Sequence, residues 1–209
     1  MQAGEPDCRI GAILCDVGDV VILFDRAVSA GIEDRYSLPA GSFLQTALKS
    51  PAAKLATVGA IDHAEWRRRI CRTLPAQAVD EWLDYHGELN QGVVDLLTAA
   101  KEAGVRVVFL SNATARLWDD LAYHGILRFA DRVFCSADIA WAKPDPRAYR
   151  FVIDTASLVL AQTLYVDDTP SWVEMGRSLG MHGYVYITTS GLSHELSRLG
   201  VAVDQTLGR

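Results

Sequence analysis

No apolar run in the 209 residues approaches the ~20 that a membrane-spanning helix needs. No early apolar segment follows a basic start, so nothing resembles an export signal. From these absences we expect a soluble, cytoplasmic protein with no membrane partner. Cysteine is scarce. Cys8, Cys15, Cys71 and Cys135 are scattered, with no C-x-x-C pair. That pattern argues against a disulfide framework or a zinc site and for reduced thiols. Positive charge is in deficit: 20 Lys and Arg stand against 26 Asp and Glu, a net charge of -6. Such a surface is a poor start for nucleic acid or an anionic membrane. A phosphorylated small molecule stays open, because it feels only its pocket. Internal repeats and low-complexity tracts are absent. Residues 1–9 are polar, and we expect them to be loose.

What is present is apolar: 50% of the residues. That is enough for one packed core with a small appended domain. The chain is organised around residues 10–25, Ile-Gly-Ala-Ile-Leu-Cys-Asp-Val-Gly-Asp-Val-Val-Ile-Leu-Phe-Asp. Its first apolar run, 12–15, is too short and too apolar for a surface helix and predicts a buried strand. Asp16 then sits at the strand's carboxyl end, the edge where parallel sheets bind ligands. A second apolar run covers 20–24.

From 26 to 86 apolar residues recur at helical spacing and strand signals vanish. We expect a short helix over 42–49, ending before Pro51. Asp62 can cap the next helix, with Glu65 as the partner of a capping box. Trp66, Ile70 and Leu74 share one face of it. Another helix fits 77–85. Alternation follows: helix 91–103 closed by Gly104, strand 105–110 running into Ser111-Asn112, helix 114–123, strand 132–135. Asp145 caps a helix that Pro146 opens. Strand 163–166 runs into Asp167-Asp168, helix 171–179 closes at Gly180, and strand 183–187 precedes a helix over 192–199. Strands and helices in turn, with short links, predict an α/β fold, a doubly wound parallel sheet with helices on both faces. A small helical cap is inserted after the first strand. The expected core is 1–25 with 87–209, and the cap is 26–86.

Singly, each polar strand end has an ordinary role as a turn or capping residue. Together, Asp16, Ser111-Asn112 and Asp167-Asp168 converge on one crevice. Three carboxylates meeting there repel one another unless a cation joins them, and carboxylate oxygens with room for water suit Mg²⁺. A hydroxyl, an amide and the ammonium of Lys143 beside that ion suit a phosphate. A helix amino terminus after Ser111 would add backbone N–H groups.

The order Asp16-x-Gly18-x-Val20, Leu110-Ser111-Asn112, Lys143-Pro144, Val166-Asp167-Asp168 resembles the four motifs of the haloacid dehalogenase-like superfamily. The resemblance covers about residues 10–190, and the segment 165–180 is its most specific part. The helical insertion is similar to that superfamily's small helical cap. The Asp-x-Gly form of the first motif is similar to that of bacterial glucose-1-phosphatase-like proteins, and the phosphatase domain of soluble epoxide hydrolases is a further relative. The resemblance implies a Mg²⁺-dependent phosphatase. Asp16 would attack phosphorus and form an aspartyl phosphate. Asp16, the Gly18 carbonyl and Asp168 would hold Mg²⁺, with Asp167 as a further ligand or an outer partner. Ser111, the Asn112 backbone N–H and Lys143 would bind the phosphoryl group, as phosphoryl transfer requires.

The sequence departs from that pattern at Gly18. Most phosphatases of the superfamily carry there a second Asp, which protonates the leaving group. Losing a general acid typically costs ~10²–10⁴-fold. Asp19 reads better as a turn residue than as a substitute. Three functions stay open. The leading one is a phosphatase with another acid. The others are a non-catalytic binding module, and dehalogenase- or phosphonatase-type chemistry with a cap lysine such as Lys49 or Lys54. His63, Glu65, Arg69, Arg72, Trp82, Tyr85 and His86 are candidates to face the pocket. We expect a small phosphorylated metabolite as substrate and a monomer or homodimer.

Overall fold

The computed structural model describes residues 10–203. The loose segment expected over 1–9, with Cys8, lies outside them. In chain order, β1 (Ala12–Cys15) is followed by β2 (Ile22–Leu23) and four helices, α1 (Arg26–Arg35), α2 (Pro51–Thr57), α3 (His63–Ile70) and α4 (Ala76–Leu83). Then come β3 (Glu88–Leu89), α5 (Gln91–Glu102), β4 (Arg106–Ser111), α6 (Leu117–Tyr123), β5 (Arg132–Cys135) and α7 (Ser136–Ile139). The chain continues with α8 (Pro146–Ala156), β6 (Thr163–Asp167), α9 (Pro170–Ser178), β7 (His182–Val185) and α10 (Thr189–Arg198).

The main sheet runs β5-β4-β1-β6-β7, with every neighbouring pair parallel. Both faces are buried, which is why its strands read as unbroken apolar runs. Ile13, Cys15, Val107, Phe109, Leu164 and Val166 pack on the side of α5, α6 and α10. Leu14, Val108, Leu110 and Tyr165 pack on the side of α8. This is the doubly wound α/β fold expected from the alternation. β1 lies at the centre, between β4 and β6, so the carboxyl ends of those three strands share one edge. No helix among the described residues is long and apolar enough to cross a membrane. Cys15, Cys71 and Cys135 form no disulfide among the described residues.

The helices of 26–83 have their own buried cluster, in which Ile32, Phe43, Trp66, Ile70, Leu74 and Val79 meet. The stripe expected from Trp66, Ile70 and Leu74 is therefore its core. β2 and β3 pair antiparallel at the base of this segment, through Ile22 with Leu89 and Leu23 with Glu88. A second junction lies between α2 and α7. Ser136 Oγ donates to the Thr57 carbonyl at 2.6 Å. Beside it, a Cβ on Gly59, whose φ is +66°, would stand 2.1 Å from the Ala137 carbonyl oxygen. Only glycine allows this backbone approach.

Some elements differ from expectation. The helix expected over 42–49 is one wide turn, Leu44–Leu48, closed by a bond from Lys49 N–H to the Leu44 carbonyl. Pro51 stands at the start of α2, capped by Ser50. Asp62 caps α3 by accepting from Glu65 N–H at 2.7 Å. The Glu65 carboxylate does not complete the box; it pairs with Arg68 and Arg69. α6 begins at Leu117, three residues later than expected. Long-range contacts hold 112–116 as a loop: Ala113 N–H donates to Ser136 Oγ, and Thr114 Oγ1 meets His63 Nδ1. No helix therefore starts directly after Ser111, and the expected helical N–H groups are not there.

Candidate active site

Asp16 leaves the sheet just past β1, its own N–H still bonded to the Val166 carbonyl at 2.9 Å. It is buried, 5% exposed. Its Oδ1 accepts from Val17 N–H at 2.7 Å and from Lys143 Nζ at 2.9 Å. Oδ2 makes no hydrogen bond within the described residues. Lys143 is 3% exposed and its Nζ also reaches Asp167 Oδ2 at 2.7 Å. The ammonium lies 4.7 Å from the Trp172 ring centroid, a cation–π contact that helps offset its desolvation. Asp167 is fully buried and saturated: Tyr165 OH donates to Oδ2 at 2.5 Å and Thr169 N–H to Oδ1 at 2.9 Å. Asp168 is the exposed member, touched by Thr169 Oγ1.

Carboxylate oxygens of Asp16, Asp167 and Asp168 lie within 4.8 Å of one another. One ammonium among three carboxylates leaves two negative charges uncompensated. Burial, with the Asp167 charge adding to it and Lys143 opposing, lifts the Asp16 carboxyl to about 7. Burial and then Asp167 also raise Asp168. A hard divalent cation would relieve that repulsion, and an all-oxygen donor set is what Mg²⁺ prefers. The residues therefore fit the ion.

Ser111 ends β4 and is buried. Its hydroxyl makes no hydrogen bond to the described residues. Asn112 follows, and its side chain does what the sequence did not foretell. Its Oδ1 accepts from Lys143 N–H and its Nδ2 donates to the Lys143 carbonyl, both at 2.8 Å. This two-point clamp fixes the backbone that carries the ammonium. The partner lies 31 positions away, beyond any local signal. Tyr165 was also missed, though period two puts it on the same strand face as Asp167. Burial and the Asp167 charge push its phenol well up, so it stays a proton donor to that carboxylate.

Gly18 is open: a Cβ built there meets nothing within 4 Å. Asp19 has φ +56° and its Oδ1 accepts from Phe24 N–H, which bears out the turn reading. Asp19 and Asn112 also begin a cavity of about 570 Å³ that extends beneath α1 to α4. Of the pocket candidates, Trp82 and Tyr85 line it; His63, Glu65, Arg69, Arg72 and His86 do not. Trp66, expected only as core, lines it too. Lys49 and Lys54 are exposed and off the cavity, so neither is the desolvated lysine that phosphonatase-type chemistry requires.

The chain is 35% identical over 145 residues to phosphatase MT3486 of Mycobacterium tuberculosis, covering 63% of this chain and 65% of that one. It is 27% identical over 136 residues to a phosphoglycolate phosphatase of Pseudomonas putida, covering 60% and 47%. The chain thus spans under two thirds of the length of these relatives. Its fold matches an enzyme of Bacteroides thetaiotaomicron solved in complex with magnesium and inorganic phosphate, with TM-score 0.73, 20% identity, and 85% and 94% of the two chains covered. The model of the haloacid dehalogenase-like hydrolases matches residues 10–180, which include every strand-end residue described above, and the chain belongs to that family.

Proposed function

We propose that the protein is a Mg²⁺-dependent phosphatase of a small phosphorylated metabolite, with Asp16 as the nucleophile. The observation that carries this reading is the cluster of Asp16, Asp167 and Asp168, in which the buried Lys143 bridges Asp16 and Asp167. The names of the two relatives and the magnesium and phosphate bound to the Bacteroides neighbour support it. The helical segment 26–86 acts as a cap over the core formed by 1–25 and 87–209.

Asp16, the Gly18 carbonyl and Asp168 would hold Mg²⁺, which when bound would neutralise charge on the phosphoryl oxygens. Asp167, with both oxygens engaged, orients Lys143 rather than binding directly. Asp16 Oδ2, which has no partner among the described residues, attacks phosphorus as the ester P–O bond breaks. The leaving alkoxide takes its proton from water, and a second water then cleaves the aspartyl phosphate, releasing inorganic phosphate and restoring the carboxylate. Lys143 balances the nucleophile before attack and the phosphoryl group after it. Ser111 Oγ donates to a phosphoryl oxygen. Asn112 adds its backbone N–H and, through its side chain, keeps Lys143 in place. Fixed charges of this kind account for most of phosphoryl-transfer catalysis.

The test is phosphate release from phosphate monoesters with and without Mg²⁺. Release that needs the ion supports the reading; a rate unaffected by chelator overturns it. A second expectation concerns Gly18. The space beside it admits a carboxylate, so Gly18→Asp should speed turnover of esters with poor leaving groups by ~10-fold or more. An unchanged rate with the fold intact would mean that another acid already serves.

A further inference from the structure

The cavity beside the carboxylates has a composition that constrains what fills it. Its volume, about 570 Å³, is that of a site for a whole organic molecule rather than a phosphate alone. Its wall is mostly carbon. Phe43 and Trp82 stack with centroids 5.2 Å apart, and Trp66 lies 6.3 Å from Trp82. Three apolar side chains in its lining are exposed: Phe24 at 39%, Leu44 at 41% and Leu48 at 57%. Apolar groups kept in water around one opening mark a ligand-binding surface.

The polar groups on the wall are mostly occupied by the protein itself. Trp82 Nε1 donates to Ser29 Oγ, and Trp66 Nε1 to the Ala47 carbonyl. Each oxygen of the buried Glu33 accepts a backbone N–H, from Phe43 and Gly41. Arg116 is held by Asp120 and the Tyr85 carbonyl, and Tyr85 OH accepts from Asp25 N–H. Asn112 spends its amide on Lys143. Arg26 at the exposed rim, one carboxylate oxygen each of Asp19 and Asp25, and the Tyr85 hydroxyl proton have no partner among the described residues; these groups lie at the ends of the cavity and not among its rings. A sugar or other polyol lying among Phe43, Trp66 and Trp82 would lose water from several hydroxyls where the polar atoms of Trp66, Trp82 and Glu33 are already engaged, which is costly. An aromatic body would lose little and gain ring contacts.

We propose that this cavity receives the organic part of the substrate, and that the substrates are phosphate monoesters carrying an aromatic group rather than polyol phosphates. The inference rests on the phosphatase reading for the site beside the cavity. Asp19 and Asn112 join the two, placing the phosphate at Asp16 and the rings among Phe43, Trp66 and Trp82.

The test compares alkyl phosphates only, so that leaving-group chemistry is held constant. With Mg²⁺, 2-(1-naphthyl)ethyl phosphate should show kcat/KM at least ~10-fold above glycerol 3-phosphate and glucose 6-phosphate. Leu48→Asp, at the exposed mouth, should remove most of that preference. Equal kcat/KM for the two classes, or an unaltered preference in Leu48→Asp, overturns the aromatic assignment. Binding is read separately, by quenching of tryptophan fluorescence with 2-(1-naphthyl)ethanol. If no ester is hydrolysed, the phosphatase reading fails. Quenching of wild type that is lost in Leu48→Asp would then still support an aromatic cavity, and its absence would overturn it.

Discussion

Asp16→Asn is expected to lower phosphate release by at least ~10³-fold, because a neutral amide oxygen is a far weaker nucleophile than the carboxylate it replaces. The same substitution should act on stability in the opposite sense. Burial and Asp167 lift the Asp16 carboxyl from 3.8 to about 7 in the folded protein. Between those two pH values the folded chain holds a proton that the unfolded chain gives up. Stability of the metal-free protein therefore falls as pH rises across that window, and above it the ionised carboxylate exerts its full cost. The amide in Asp16→Asn has no charge to desolvate. At pH 8 in chelator the variant should melt higher than wild type, and its melting temperature should vary less between pH 4 and 7. Added Mg²⁺ should raise wild type more than the variant. Thermal melts across pH, with chelator or Mg²⁺, check all three. A variant that melts lower at pH 8 in chelator would mean that the Lys143 ion pair outweighs burial.

Lys143→Met carries the largest expected loss of stability. The ammonium bridges two buried carboxylates, and methionine keeps the apolar contact with Trp172 while removing the charge. Leaving such carboxylates unpaired typically costs ~3–5 kcal/mol. For a chain of this size that is a fall of roughly 10 °C in melting temperature. Mg²⁺ should narrow the gap, since a cation among the carboxylates replaces part of the lost charge. Turnover should stay low even then, because nothing else balances the phosphoryl group from the Lys143 side. An unchanged melting temperature in chelator would show that the two ion pairs of Lys143 contribute nothing to stability.

The three central strands were legible because each is an apolar run buried on both faces, which leaves a strong one-dimensional signal. Their chemistry was legible because Asp16, Ser111 and Asp167 interrupt those runs at the same end. What was hidden depended on contacts distant in sequence. β2 and β3 are two residues each, too short for any period, and become strands only by pairing with each other. The late start of α6 is set by Ser136 and His63, which hold the preceding loop from other elements. Asn112 looked like one more phosphate ligand, and only the return of the chain at Lys143 reveals its side chain as a clamp. The cavity's character was hidden for the same reason: Phe43, Trp66 and Trp82 are dispersed in the chain and meet only when the helices pack.

The Gly59 approach to Ala137 bears on how a substrate reaches the cavity. A lobe joined to its base only where its two chain ends meet, here at β2 and β3, is free to swing like a door on that axis. The Gly59–Ala137 approach, backed by the Ser136 bond to Thr57, lies away from the axis and makes a third leg. A body on three legs does not swing without lifting one. On the proposed reading of this segment as a cap, that leg would hold the lobe still and leave the exposed rim of Phe24, Leu44 and Leu48 as the way in.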